Sequence, residues 1–201
     1  MIQRHTTSSS YRLDTTLEVR ASCAYARVVA LGAKIVTVSD SVIAGTRVDA
    51  AGPRVAAWLR QRGYDVVDQR RIPDGIEPVA TALRELATGF SGLIVTTGGT
   101  GFAPRDLTPE GTLLVIERDA PGFAEMMRAT SPYGALSRGR CGILGSSLIL
   151  NTPGSPNAAL ECLEGVAPVL AHALNLLAGT RDPHPPETGG TTAISSEGPT
   201  T

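Results

Sequence analysis

The chain has 201 residues, of which 42% are hydrophobic, and its 18 basic residues nearly balance its 19 acidic ones. This length and composition fit one domain with a packed core and some residues to spare. The near-zero net charge and the 4% of aromatic residues exclude a large basic nucleic-acid surface, a polybasic membrane anchor and a platform for stacking bases. We therefore expect neither nucleic acid nor a membrane among its partners.

The cysteines indicate packing, because nothing in their spacing points to metal binding or redox chemistry. Cys23, Cys141 and Cys162 are far apart and form no Cys-x-x-Cys pair. Small buried thiols of this kind suit a reducing compartment. The apolar stretch 21–33 is interrupted by Arg27 and is too short to cross a bilayer. The sequence therefore predicts a cytoplasmic protein.

The two ends differ in composition from the middle of the chain. Residues 1–26 are polar and show no sustained periodicity, and residues 180–201 are rich in Pro, Gly, Thr and Ser. Such segments cannot bury enough apolar surface to offset the loss of conformational entropy. We expect a mobile N-terminal tail, a disordered C-terminal tail and one folded domain over residues 27–179.

Short apolar runs alternate with helical patterns along this domain. In chain order, the patterns predict a strand at 33–38, a helix at 52–62, a strand at 64–72, a helix at 77–88, a strand at 93–97, helices at 109–118 and 122–129, a strand pair at 142–144 and 148–151, and a long helix at 158–177. The βαβαβ order predicts an α/β fold, a three-layer sandwich with a mostly parallel central sheet and helices on both faces.

Ligands of open parallel sheets bind at the carboxyl ends of the strands. The candidate loops are therefore those that follow Val38, Ile72, Thr97 and Asn151. These loops also carry the most unusual segments of the sequence.

The third of these loops, 96–110, reads TTGGTGFAPRDLTPE. Its glycines allow backbone N–H groups to approach an anion closely, although a plain tight turn is the alternative. It lacks the Gly-Lys-Ser/Thr of a P-loop and does not fit GxGxxG. Thr108 can cap a helix that has Pro109 in its first position, and a helix N-terminus favours phosphate. Asp106 is out of place in a pure anion site, but a metal that bridges a carboxylate to phosphates would account for it.

A second acidic residue lies on the same edge of the predicted sheet. Asp74 follows the strand that ends at Ile72, within a Pro-Asp-Gly sequence that is also a common turn. Asp74 and Asp106 together could hold Mg²⁺.

Some of the other candidate residues have both a functional and a structural interpretation, and the rest have a structural interpretation only. Ser155, after the strand that ends at Asn151, either donates to a phosphate or caps the last helix. Asp49 is expected to cap the first helix. Arg138 is either a clamp for phosphate or carboxylate, or a solvated side chain. His172 lies in the last helix and is expected to pack there, and no GxSxG or zinc-ligand pattern favours a hydrolase or a zinc enzyme.

Taken together, these segments resemble the molybdopterin adenylyltransferases of molybdenum cofactor biosynthesis, which are related to the G domain of gephyrin. The matching motifs, in the family's order, are VSD (38–40), PD (73–74), TTGGTG (96–101), PRDLTPE (104–110), PGF (121–123), LSRG (136–139) and NTPGSP (151–156). The set is specific, although each motif alone is not. The chain departs from the family at Thr152, where leucine is expected, and at Ser41, where arginine is common.

The resemblance implies an activity and a set of ligands. Such enzymes use ATP as co-substrate with Mg²⁺ to adenylylate the terminal phosphate of molybdopterin, and they release pyrophosphate. It implies that Asp74 and Asp106 are catalytic through Mg²⁺. It also implies a homotrimer and a downstream molybdenum-insertion protein as a partner.

Further site residues follow from the same resemblance. The nucleotide site is implied at Ser39, Asp40, Thr97, Gly98, Gly99, Thr100 and Gly101, and the molybdopterin site is implied at Ser137, Arg138, Gly154 and Ser155. One alternative is a non-catalytic trimeric protein of the MoaB-like branch, which binds molybdopterin or serves as a scaffold. Another is an unrelated sugar- or nucleotide-binding α/β protein.

Overall fold

The computed structural model describes residues 31–179 of the chain. The predicted tails, 1–26 and 180–201, and Cys23 lie outside the described residues. The strands are β1 Gly32–Val38, β2 Asp65–Ile72, β3 Ser91–Thr97, β4 Arg118–Asp119, β5 Cys141–Leu144 and β6 Ser146–Thr152. The helices are α1 Asp40–Ile43, α2 Ala51–Gln61, α3 Ile76–Ala87, α4 Thr108–Leu113, α5 Pro121–Ala129 and α6 Pro156–Leu177, with a 3-10 helix at Pro132–Leu136.

The strands form one sheet of six, in the order β2-β1-β3-β6-β5-β4. Strands β2, β1, β3 and β6 are parallel, β5 runs antiparallel to β6, and β4 runs antiparallel to β5. The carboxyl ends of the four parallel strands therefore lie at one edge, and the segment that leads into β5 reaches the same edge. This edge brings together all the loops that the sequence singled out.

Side chains of successive strand residues point to opposite faces of the sheet. On β1, Ala33 and Ile35 belong to a core cluster with α2, α5 and α6, whereas Val36 and Val38 belong to a second cluster with α3. The sheet therefore separates two hydrophobic cores, each closed by helices. The predicted three-layer α/β architecture is confirmed.

The sequence of α2, the first long helix, accounts for its buried face and for its N-terminus. Val55, Trp58 and Leu59 are buried on one face of α2. Asp49 lies just before this helix, and its carboxylate accepts a hydrogen bond from the N–H of Gly52 at 2.9 Å. Asp49 therefore satisfies one N–H of the first turn, as expected of a capping residue, although it lies one residue before the N-cap position at Ala50.

The helix expected over 109–118 is wrong in length. It spans only Thr108–Leu113, because the chain then tightens and Val115 N–H donates to the Thr112 carbonyl, three residues earlier, at 3.1 Å. Glu117 N–H next donates to the Ile143 carbonyl at 2.8 Å, and β4 pairs with β5. The residues after Leu113 that helical periodicity had assigned to this helix therefore lead into the edge of the sheet.

The last helix, α6, is long and apolar enough to cross a membrane by length and composition. In this fold, apolar side chains of α6 pack against the sheet. Leu163, Val166 and Leu170 are at most 1% exposed and belong to the core cluster that packs on the sheet. One face of α6 therefore packs in this core.

Candidate active site

A cavity of about 440 Å³ opens at the carboxyl edge of the parallel strands. Its lining includes these predicted site residues: Ser39, Asp74, Thr97, Gly98, Gly99, Asp106, Gly154 and Ser155. They come from four different loops, so the fold assembles residues that are far apart in sequence. Hereafter this is the first cavity.

A second cavity, of about 280 Å³, lies on the other side of the glycine loop. Its predicted site residues are Thr100, Gly101 and Ser137. Most of its remaining wall is apolar, and includes Met127 and Leu136. Gly98 and Gly99 line the first cavity, whereas Thr100 and Gly101 line the second, so one loop separates the two spaces.

Asp40 lines neither cavity, because its carboxylate fastens two loops together. Asp74 N–H donates to Asp40 Oδ1 at 3.0 Å, and Asp40 N–H donates to Asp74 Oδ2 at 2.8 Å. Arg105 completes this connection, donating from Nε to Asp40 Oδ2 at 2.8 Å and from Nη2 to the Asp74 carbonyl at 2.7 Å. The contacts give Asp40 and Arg105 a positioning role around Asp74.

The glycine loop approaches its neighbours too closely for any side chain. A Cβ at Gly98, where φ is +107°, would lie 2.2 Å from the Val38 carbonyl oxygen. A Cβ at Gly99, where φ is +63°, would lie 2.4 Å from Thr108 Oγ1. Thr108 is the first residue of α4 and not its cap. Its hydroxyl instead donates to the Gly98 carbonyl at 2.9 Å.

The strand ends on either side of this loop are tied by buried polar side chains. Asn151 Nδ2 donates to Thr96 Oγ1 and to Thr112 Oγ1, both at 3.0 Å, and Asn151 Oδ1 accepts from Arg140 N–H at 3.1 Å. Thr152, which departs from the family motif, is fully buried and donates to the Thr96 carbonyl at 2.8 Å. The hydroxyl at this position is therefore satisfied.

Asp74 and Asp106 both have an oxygen available to a metal ion. Asp74 Oδ2 accepts from Asp40 N–H, and Asp106 Oδ2 accepts from Ala103 N–H at 2.9 Å. Within residues 31–179, the other oxygen of each carboxylate has no hydrogen-bond donor. No group of three or more His, Cys, Asp or Glu side chains that could hold a metal is found in this part of the chain. Two carboxylates that leave places for water and phosphate fit Mg²⁺, which rarely binds in an all-protein cage.

Arg138 is engaged by protein groups and is not a solvated side chain. Its Nε donates to the Gly101 carbonyl at 2.7 Å, Nη2 donates to the Asp106 carbonyl, and Nη1 pairs with the Glu110 carboxylate. These three contacts join the glycine loop, the Asp106 loop and α4. Arg138 therefore pairs with Glu110 and positions Asp106, and it lines neither cavity, so its predicted contact with molybdopterin stays a prediction.

The partner of this arginine has a shifted pKa. Burial raises the pKa of Glu110, but the hydrogen bonds from Arg138 and from the backbone of Glu110, together with the charges of Arg138 and Arg140, lower it by more, so the pKa lies below its usual value. Glu110 Oε2 is buried and has no hydrogen-bond partner among the described residues.

The structure bears on the alternatives for Ser155 and on the packing role expected of the cysteines. Ser155 is the N-cap residue of α6 by position, but its side chain makes no capping hydrogen bond and is exposed to the first cavity. Burial raises the pKa of Cys141 to about 12 and that of Cys162 to about 11. Both thiols are therefore protonated at neutral pH, as expected of packing residues.

Comparison with known proteins identifies the family. The model of the family described as "Probable molybdopterin binding domain" matches residues 34–172. The chain belongs to this molybdopterin-binding family. The match includes every residue that lines the first cavity.

Relatives and solved structures of the molybdopterin-binding family agree with this. A molybdopterin adenylyltransferase of Haemophilus influenzae is 45% identical over 139 residues, which cover 66% of this chain and 71% of that protein. The structure titled "anomalous substructure of MogA" has a TM-score of 0.70 and 41% identity, and the match covers 73% of this chain and 99% of that one. The molybdopterin biosynthesis enzyme MoaB of Thermus thermophilus has a TM-score of 0.70 and 42% identity, over 75% and 98% of the two chains.

Several residues at the site of this family member were not found from the sequence. Arg105 and Asn151 act through partners that are 65 and 55 residues away. Arg47 lines the first cavity from the loop before α2. The motifs PRDLTPE and NTPGSP contain Arg105 and Asn151, but no local pattern predicts the roles of these three residues, because each role depends on the folded chain.

Proposed function

We propose that this chain is a molybdopterin adenylyltransferase of molybdenum cofactor biosynthesis, which transfers AMP from ATP to the terminal phosphate of molybdopterin. The observation that carries the proposal is that Asp74 and Asp106, from separate loops, line one cavity with Gly98 and Gly99. Membership of the molybdopterin-binding family and the names of the relatives support the same activity.

The reaction requires positioning and not a side-chain nucleophile. An oxygen of the molybdopterin phosphate attacks the α-phosphorus of ATP, and the bond from that phosphorus to the β-phosphate oxygen breaks. Pyrophosphate leaves with the electron pair of that bond. Transfer of this kind depends on alignment and on electrostatic stabilisation of the phosphates.

Asp74 and Asp106 would hold Mg²⁺, whose charge offsets the negative charge that develops on the leaving pyrophosphate. Asp40 and Arg105 fix the Asp74 loop through the hydrogen bonds described above. Arg138 fixes Asp106 through its backbone carbonyl. The nucleotide lies in the first cavity, against Ser39, Thr97 and the glycine loop.

Molybdopterin occupies the second cavity in this proposal. The mostly apolar walls, with Tyr133 and Leu136 at one side, suit a flat ring system. Ser137 offers a hydroxyl there. Ser155 and Gly154 remain in the first cavity, where the Ser155 hydroxyl can donate to a phosphate.

Three wider properties belong to the same proposal. The protein is a homotrimer, it works in the cytoplasm, and a downstream molybdenum-insertion protein receives its product. These follow from the family resemblance carried by the motifs between Val38 and Pro156.

The test is pyrophosphate release from Mg-ATP by the purified full chain, measured with and without molybdopterin. Release that depends on molybdopterin, with adenylylated molybdopterin recovered, is the expected result. Tight binding of molybdopterin with no release would favour the non-catalytic scaffold. Saturable ATP binding with no effect of molybdopterin would favour an unrelated nucleotide-binding protein.

A further inference from the structure

Arg47 faces the first cavity from a loop that the protein holds in place. The loop follows α1, and Ser41 anchors it: the Ser41 carbonyl accepts from Arg47 N–H at 3.1 Å, from Thr46 N–H at 3.0 Å and from Thr46 Oγ1 at 3.1 Å. Arg47 is exposed, and it lines the cavity together with Asp74 and Asp106. Its backbone is thus fixed while its guanidinium stays accessible.

Other arginines at this edge of the sheet are paired with carboxylates. Arg71 pairs with Asp49 at 3.3 Å, Arg105 pairs with Asp40 at 2.7 Å, and Arg138 pairs with Glu110. Within residues 31–179, the side chain of Arg47 has no hydrogen-bond or ion-pair partner.

The charges that line the first cavity indicate what the unpaired side chain of Arg47 could bind. Asp49, Asp74 and Asp106 are its acidic lining residues, and Arg47 is the only basic one among the residues that the structure describes. The side chain of Asp49 is 6% exposed, and its carboxylate already accepts from Thr37, Gly52 and Arg71. Among residues 31–179, the cavity that takes an anionic nucleotide in the proposed function therefore has one cation that is free to bind it.

We propose that Arg47 binds the β- and γ-phosphates of ATP, on the side from which pyrophosphate leaves. This inference rests on the proposed function. A guanidinium forms charge-assisted, bidentate hydrogen bonds with phosphate.

The two cavities decide which end of the nucleotide Arg47 binds. Attacking and leaving oxygens lie roughly in line on opposite sides of the phosphorus. Molybdopterin approaches from the second cavity, beside Thr100 and Gly101. Arg47 lines the first cavity and not the second. The leaving group therefore departs into the first cavity, where Arg47 lies.

The test compares nucleotides that have and lack the β- and γ-phosphates. Arg47→Gln removes the charge, Arg47→Lys keeps it, and Arg60→Gln makes the same charge change at an exposed position near the far end of α2. Calorimetry with Mg²⁺ gives the Kd of each full-length variant for ATP and for AMP. For Arg47→Gln we expect ATP to bind about tenfold more weakly and AMP to bind unchanged. We expect partial recovery with Arg47→Lys and wild-type binding with Arg60→Gln.

Each other outcome overturns the inference in a recognisable way. Equal weakening of ATP and AMP would place Arg47 at the nucleoside or α-phosphate end. Unchanged ATP binding, with a raised KM for molybdopterin, would assign Arg47 to the molybdopterin phosphate. If the wild-type chain bound no ATP, the proposed function itself would fail. If the wild-type chain bound ATP and Arg47→Gln bound it equally well, only the inference about Arg47 would fail.

Discussion

Asp40 and Asp74 both follow a parallel strand, yet their carboxylates have different uses. Both oxygens of Asp40 accept hydrogen bonds, from Asp74 N–H and from Arg105. Among the described residues, Asp74 accepts a hydrogen bond only at Oδ2, and Asp74 lines the first cavity whereas Asp40 does not. The geometry therefore favours Asp74 as the metal ligand and Asp40 as its support.

Replacing either proposed metal ligand tests this assignment. We expect Asp74→Asn and Asp106→Asn each to lower adenylyl transfer about 100-fold or more, because an amide gives up the charge that holds Mg²⁺ beside the phosphates. The measurement is pyrophosphate release as a function of Mg²⁺ concentration. Asp65→Asn is the matched control, since Asp65 is exposed at the opposite end of the sheet. Full turnover of Asp106→Asn with unchanged Mg²⁺ dependence would contradict the role.

The candidate site could be predicted in part from the sequence, since the carboxyl ends of parallel strands meet. That argument located Asp74, Asp106 and the glycine loop on one edge. It could not reveal that Arg138 clamps Glu110, because the two are 28 residues apart and belong to no shared pattern. The assigned roles of the site residues stay predictions until they are measured.

At the scale of elements, the runs of β-branched and apolar residues were the most informative. The strands β1, β3 and β6 were predicted to within two residues at each end, because buried parallel strands have continuous apolar sequences. The two-residue strand β4 was missed, since its pairing depends on the edge of β5 and not on its own sequence. For the same reason the predicted extension of α4 was wrong.

The glycine loop after β3 yields a prediction about backbone contacts. Gly98→Ala should lower the free energy of unfolding by more than the ~1 kcal/mol typical of alanine at a positive φ, because its Cβ would lie 2.2 Å from the Val38 carbonyl oxygen. Gly63→Ala is the matched control: its φ is +83°, and a Cβ there meets nothing within 4 Å. Urea unfolding of both variants measures the difference. Equal losses of stability would show that the close approach to β1 is unimportant.

The contact between α4 and the segment before β5 should depend on pH. The pKa of Glu110 is lowered in the fold, so the stabilisation from its ion pair with Arg138 is complete above the usual carboxyl pKa and is lost as the pH falls through the lowered value. Because these side chains are 36% and 33% exposed, we expect Glu110→Gln to destabilise the protein by only about 1 kcal/mol or less at pH 7.

Urea unfolding of wild type and Glu110→Gln at pH 7, 5 and 3 provides the measurement. The difference between the two proteins should be largest at pH 7 and should become smaller as the pH falls towards 3. A difference that stayed constant with pH would mean that Glu110 contributes through packing and not through its charge.

At the scale of the whole molecule, the sheet separates two cores that are both formed within one chain. The chain nevertheless leaves several large apolar side chains exposed. Val48 is 84% exposed, Phe102 is 66% exposed and Tyr133 is 81% exposed. Val48 lines the first cavity and Tyr133 lines the second, and single exposed apolar side chains of this kind are common on protein surfaces.

Association of complete, folded chains would therefore bury surface without rebuilding either core. For the proposed homotrimer, sedimentation velocity should give one species of three times the 20.9 kDa of a single chain. Dilution should release monomers that keep their secondary structure, because each core is formed within one chain. Circular dichroism of the diluted sample checks the second point. A single species of 20.9 kDa at micromolar concentration, with full adenylyl transfer, would show that the fold and the activity do not need the trimer.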